Sequence, residues 1–374
     1  MTTPPPPPPP APGFQPPGYP PQPAQPGFQP PGYPPAGTAY PQPGQAPPVG
    51  WYAAPGAHVP APVPARPPAL PAEPVEYQHV LRGGRRAWWR PLASFLLVLA
   101  GALASTVGIL IVAGIGYVVI SGADLDAIEA MTLDFNNPVT FGVQNLWLAL
   151  LIPIAGLSTW IAHGVRPGFV SSVVGRFRWG WFGWCLVVVV PLWIVYIGIA
   201  AVVDGDAFGD TAERPSTWVA LLVLTLVTTP LQAAGEEYLF RGWLMQQIGA
   251  WVRNTYAALA IAVIVSSVLF ALAHTSLDPF VLIDLGSFAA AAVLLTWRTG
   301  GLEAAVALHI VNNVIVLVLS ILTTGLQDAF ITTETTGDPL ATGISFVALA
   351  LATAGIWWLA GRRGIARRTV PAHP

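Results

Sequence analysis

Thr228-Thr229-Pro230-Leu231-Gln232-Ala233-Ala234-Gly235-Glu236-Glu237-Tyr238-Leu239-Phe240-Arg241-Gly242 lies inside an apolar run covering 217–248. A run of that length crosses a bilayer as a helix, which needs about 20 apolar residues. Two carboxylates and an arginine therefore sit where lipid would otherwise be the solvent. Charged groups are costly there, and they face a bundle interior or a wet cavity and mark function. Residues four apart share a helix face, so Glu237 meets Arg241, and the pairing lowers the cost of burying both. Glu236 points about 100° away around the helix and is left without a partner in its own segment. It is free to accept a proton, as a general base must. A plainer reading makes the stretch an ion-paired helix end at the interface, with Pro230 breaking the helix.

Seven further runs have comparable length: 92–120, 141–162, 181–203, 254–274, 278–297, 301–324 and 341–360. Together they predict an all-α, polytopic transmembrane helical bundle of about 8 spans. Composition agrees, since the 374 residues are 53% hydrophobic and 9% charged, against about a quarter charged in soluble domains. A formal net charge of −2 leaves no basic surplus for nucleic acid. Cys185 stands alone in an apolar run, which excludes an internal disulfide and a multi-cysteine metal site. The chain opens on threonines and a polyproline run, without the basic stretch of a secretory signal peptide.

The connections alternate in charge. Asp124, Asp126 and Glu129 follow the first span, and Arg166, Arg176 and Arg178 the second. Asp204, Asp206 and Asp210 follow the third, Arg253 the fourth, Asp278 the fifth and Arg298 the sixth. Asp328, Glu334 and Asp338 follow the seventh, and Arg362, Arg363, Arg367 and Arg368 close the last. Counting the arginines alone places both termini in the cytoplasm, in a multi-pass protein of the plasma (cytoplasmic) membrane.

Residues 1–76 hold 30 of the 41 prolines, and the first charged residue is Arg66. The nonapeptide Gly-Phe-Gln-Pro-Pro-Gly-Tyr-Pro-Pro occurs at Gly13–Pro21 and again at Gly27–Pro35. Proline removes backbone donors and fixes φ, so a disordered proline-rich tail is expected. Its readings are a docking tail for a partner and a merely solvated one. Residues 77–91 form a basic, aromatic lead-in with Arg82, Arg85, Arg86, Arg90, Trp88 and Trp89, which reads as an interfacial anchor. The transmembrane domain covers 92–362, and 363–374 make a basic C-terminal tail.

Two other spans carry polar groups. The fifth ends Phe270-Ala271-Leu272-Ala273-His274, and the seventh contains His309-Ile310-Val311-Asn312-Asn313. A lone histidine at a helix end is commonly an interfacial side chain, and a pair such as His309 and Asn313 can serve as interhelical glue. Their value rises because the glutamates exist. Asp284 either lines the same cavity or packs helices, and Glu303 suits a helix start. His58, His79, His163 and His373, in tail, lead-in or loop edges, are expected to be solvated.

Together the segments resemble the CPBP family of intramembrane proteases, which includes the type II CAAX prenyl endopeptidases. The family pattern E-E-x-x-x-R, F-x-x-x-H and H-x-x-x-N is met in order by Glu236, Glu237 and Arg241, then Phe270 and His274, then His309 and Asn313. The resemblance covers roughly 217–320. It implies peptide-bond hydrolysis in a cavity within the membrane, on protein or peptide substrates in the lipid bilayer. Glu236 would activate a water and His274 would hold it. His309 and Asn313 would stabilise the oxyanion, while Glu237 with Arg241 would fix the helix. Zn2+ or another divalent metal is an open question: two histidines and a carboxylate suffice for a zinc site, but the H-E-x-x-H helix is absent. The competing readings are a proton-coupled transporter, which would show repeated halves, and a non-catalytic scaffold acting through the tail. One tension concerns depth. At 1.5 Å per residue, Glu236 and Asn313 stand roughly 18–20 Å from their helix ends and His274 nearer 30 Å. They converge only if the hairpin after the fourth span protrudes or a helix kinks.

Overall fold

The computed structural model describes residues 67–122, 134–204, 214–323 and 325–370. Most of the proline-rich tail therefore lies outside the described residues, as do His58, His373, Asp124, Asp126, Glu129, Asp206 and Asp210. After a short 3-10 turn at Tyr77–His79 come helices α1 (Arg90–Ser121), α2 (Pro138–Ala149), α3 (Leu151–His163), a one-turn α4 (Gly168–Ser171) and α5 (Trp179–Asp204). Then follow α6 (Trp218–Glu237), a π-helical segment (Tyr238–Leu244) and α7 (Met245–Trp251). The last four are α8 (Thr255–Ala273), α9 (Pro279–Thr299), α10 (Glu303–Thr323) and α11 (Pro339–Arg362). Eight helical stretches among the described residues are long and apolar enough to cross a membrane, matching the eight expected runs.

Local chemistry sets the boundaries. Asn137, Asp278 and Asp338 cap the helices that Pro138, Pro279 and Pro339 begin, each carboxyl or amide oxygen accepting from a first-turn N–H. Asn254 does the same for α8. The second span breaks at Leu150, where Pro153 has no N–H to offer the carbonyl of Ala149. Pro230, by contrast, stays inside α6 instead of ending it. The helix break that would have favoured an interfacial ion pair is absent.

Helix α10 is the central post, packed on α6, α5 and α9. Ala304 to His309 are buried in succession, as expected of a helix surrounded by others. Leu308 and Val311 meet Trp181, Cys185 and Trp193 of α5 with Leu349 and Ile356 of α11. Helix α1 rests mainly on α3, at the edge.

The lead-in departs from the expected interfacial anchor. Trp88 and Trp89 are exposed, but Tyr77, Gln78 and Val80 have no solvent-accessible surface. Tyr77 donates its hydroxyl to the carbonyl of Val170. Arg82 donates to the carbonyls of Gly249 and Ala250 at 3.3 and 3.1 Å, and Arg86 to that of Ala250 at 3.1 Å. Cations thus cap the C-terminus of α7. His79 and His163, expected to be solvated, are both buried: His79 donates to the carbonyl of Val252 and His163 to Gln247 Oε1. Each had a carbonyl or amide within reach that only the tertiary fold supplies.

The described chain ends are joined. Thr369 donates its N–H to the carbonyl of Val75 at 2.9 Å, and Val75 returns one to Thr369 Oγ1 at 3.0 Å. Glu76 lies 3.5 Å from Arg368 and 3.9 Å from Arg367. Both ends therefore emerge on one face of the bundle, as an even number of spans requires.

Candidate active site

The fourth span is the longest, 34 residues from Trp218 to Trp251, or about 50 Å of helix against a hydrocarbon core of about 30 Å. Its α7 end is gripped by the lead-in arginines. A π-helical stretch also widens the span just after Glu237. Glu236, His274, His309 and Asn313 converge, all lining one cavity of about 670 Å³.

Glu236 and Glu237 close α6 and diverge, as a 100° step requires. Glu236 reaches the cavity with 12% of its side chain exposed, whereas Glu237 has none. Gly235 makes this placement possible. A Cβ there would stand 2.0 Å from the carbonyl oxygen of Leu148, so α6 touches backbone at the α2–α3 break.

Glu237 Oε1 accepts from Arg241 Nη1 at 2.9 Å and from His309 Nδ1 at 2.7 Å. A carboxylate only accepts, so Nδ1 carries the hydrogen and Nε2 faces the other way. That Nε2 lies 3.8 Å from Glu236 Oε2. The ring is thus held by one glutamate and presented to the other. Arg241 is fully buried and does not reach the cavity. Its guanidinium lies 4.3 Å from the centre of the Phe270 ring and 5.8 Å from that of Phe240. The E-E-x-x-x-R spacing therefore yields one ion pair, as expected, and also a positioning carboxylate for a helix 72 positions on.

His274 caps α8, and its Nδ1 donates to the carbonyl of Phe270 at 2.8 Å, leaving Nε2 as an acceptor. The next residue, Thr275, has φ 67°, a left-handed conformation costly for a β-branched side chain. Backbone strain thus adjoins a cavity-lining histidine, as it often does at functional sites.

One expectation needs correction. Glu236 does have a partner in its own segment, because Gln232 Nε2, four residues earlier, donates to its Oε1. Asn313 Nδ2 gives one of its two hydrogens to Gln232 Oε1 at 3.2 Å. Gln232 carries no charge to mark it in the sequence, although its spacing from Glu236 is the same as that of Glu237 from Arg241. Asn312 likewise carries none; it donates to Asn313 and accepts from Trp193 Nε1 at 3.1 Å. The cavity wall is therefore a chain of amides running from Trp193 to Glu236.

Among the described residues no three His, Cys, Asp or Glu side chains converge to hold a metal ion. Nδ1 of each histidine is engaged, and Glu237 is shared between Arg241 and His309, so Glu236 and the Nε2 atoms of His274 and His309 are the groups left to face the cavity.

Neither a curated protein nor a solved structure matches the chain. Residues 216–315 match the family model described as type II CAAX prenyl endopeptidase Rce1-like. The matched stretch runs from the start of α6 into α10 and contains all three motifs. It supports an intramembrane CAAX-type protease in a multi-pass membrane protein. Over residues 216–315 the chain is thus similar to the Rce1-like type II CAAX prenyl endopeptidases.

Proposed function

We propose that the protein is an intramembrane endopeptidase in which Glu236 and His309 activate a water against peptide bonds of membrane-associated proteins or peptides. The observation that carries this reading is the 3.8 Å approach of His309 Nε2 to Glu236 Oε2 across the cavity, with the far side of the imidazole fixed by buried Glu237. A water between them donates one hydrogen to each acceptor, which fixes its attacking lone pair.

In the forward step the water oxygen bonds to the scissile carbonyl carbon and Glu236 takes its proton. His309, its Nδ1 hydrogen held by Glu237, accepts the second hydrogen of the water at Nε2 and so aims the attacking oxygen. Collapse breaks the C–N bond, and Glu236 returns the proton to the leaving amine. His274 Nε2 is a second acceptor for ordering water. Gln232 holds Glu236 in one rotamer through its amide, and Asn313 holds Gln232. Arg241 pairs with Glu237 from below, under a lid of aromatic rings. No step runs through a metal. The arginine-rich connections orient both chain ends towards the cytoplasm, in the plasma membrane.

The test compares new protein N-termini in membranes of cells expressing the wild type or Glu236→Gln. A set of termini seen only with the wild type is expected. Identical sets for the two proteins refute the proposal.

A further inference from the structure

Asp284 is a carboxylate in a membrane-spanning helix that the hydrolysis above does not use. It stands one turn before Phe288 on α9, and the Phe288 ring lies 5.2 Å from that of His309. Ser345 of α11 donates to its Oδ1 at 2.6 Å. Among the described residues no arginine forms an ion pair with it. It lines the same cavity as Glu236 and His309, together with Trp193 and Tyr196 of α5.

Among the described residues no arginine lines that cavity, and the chain contains no lysine. Among those residues the cavity wall thus carries two carboxylates, Glu236 and Asp284, and no arginine opposite them. An anionic side chain at this depth is costly unless a cation or water compensates it. A carboxylate beside indole and phenol rings is the composition of a receptor for an ammonium or guanidinium group.

We propose that Asp284 determines specificity by receiving a lysine or arginine side chain of the substrate. One helical turn, about 5.4 Å, separates it along α9 from the residue touching His309. An extended peptide advances about 3.3 Å per residue, so the basic residue lies about two positions from the cleaved bond. The inference rests on the protease reading for its substrate, but the binding it describes is measurable without turnover.

The experiment uses the full chain in nanodiscs and apolar peptides differing by one Arg, Gln or Glu, scanned through the positions flanking the cut. The wild type is expected to prefer Arg to Gln by at least about tenfold in kcat/KM, chiefly through KM, as for a charged hydrogen bond in a partly buried site. Asp284→Asn brings that ratio close to one, and Asp284→Glu restores it. No Arg preference at any position, or an Asn variant that keeps it, overturns the proposal. The same peptides are bound to Glu236→Gln protein with and without Asp284→Asn, read by fluorescence anisotropy. Tighter binding of the Arg peptide that vanishes with Asp284→Asn supports the site, and equal affinities overturn it. Should no peptide be cleaved by the wild type, the protease reading fails and the binding ratio alone decides the role of Asp284.

Discussion

Gly235→Ala tests whether the backbone contact beneath Glu236 sets the site. The added Cβ would lie 2.0 Å from Leu148 O and 2.8 Å from its carbonyl carbon, while ordinary contact begins at 3.4 Å. The obstruction is backbone, so no rotamer change relieves it. Restoring contact distance requires α6 and the α2–α3 break to part by about 1.4 Å. Overpacking of this kind costs about 1–3 kcal/mol. The larger effect falls on function. Glu236 is the next residue, and a misplacement of about 1 Å can cost about 10²-fold in rate. Thermal unfolding in detergent, followed by tryptophan fluorescence, should show a lowered but cooperative transition, and turnover per folded molecule should fall about 10²-fold. Gly343→Ala serves as the control, because a Cβ there meets nothing within 4 Å, and its activity should equal the wild type's. A Gly235→Ala protein with wild-type turnover and an unshifted transition would refute the argument that this contact positions the carboxylate.

Arg241→Leu should lose about 3–5 kcal/mol of stability, since it leaves Glu237 buried with His309 alone; combining it with Glu237→Gln should lose less than the sum, measured by a double-mutant cycle. Thr275→Gly should relieve the left-handed strain and raise stability by about 1 kcal/mol, while lowering turnover by loosening His274. An unchanged or lowered melting temperature would count against that strain. Burial holds the His79 imidazole below its usual value, opposed by its bond to the Val252 carbonyl. A base with a depressed folded-state pKa costs nothing above its unfolded value of about 6.5 and destabilises as pH falls through and below it. Between pH 7.5 and 5.5 the wild type should therefore lose more stability than His79→Asn, and equal losses would sink the assignment.

The eight spans were legible because a run of some 20 apolar residues is a long signal that tertiary packing does not overwrite. The i, i+4 pair Glu237–Arg241 was legible for the same local reason. Gln232–Glu236 obeys the same spacing, but an amide carries no charge to make its burial conspicuous. Contacts between distant segments were not written locally. Nothing in the spacing joins Glu237 to His309, or His163 to Gln247, and the amide of Asn313 gave no hint that Gln232 would engage it. The burial of Tyr77 to Leu81 was hidden for another reason: the arginines and tryptophans around them carry the signature of an interface, and the residues between those markers go into the protein.

The widened turn at Tyr238–Leu244 has a consequence for how this helix tolerates change. It stores one surplus residue, so the stretch carrying Glu236 and the stretch gripping the neighbouring loops keep independent phases. Deleting a single residue there would restore regular pitch and leave the residues downstream in phase, so Gln246 would keep the Phe169 carbonyl and Gln247 would keep His163. The same deletion in a regular helix would swing everything beyond it by about 100°.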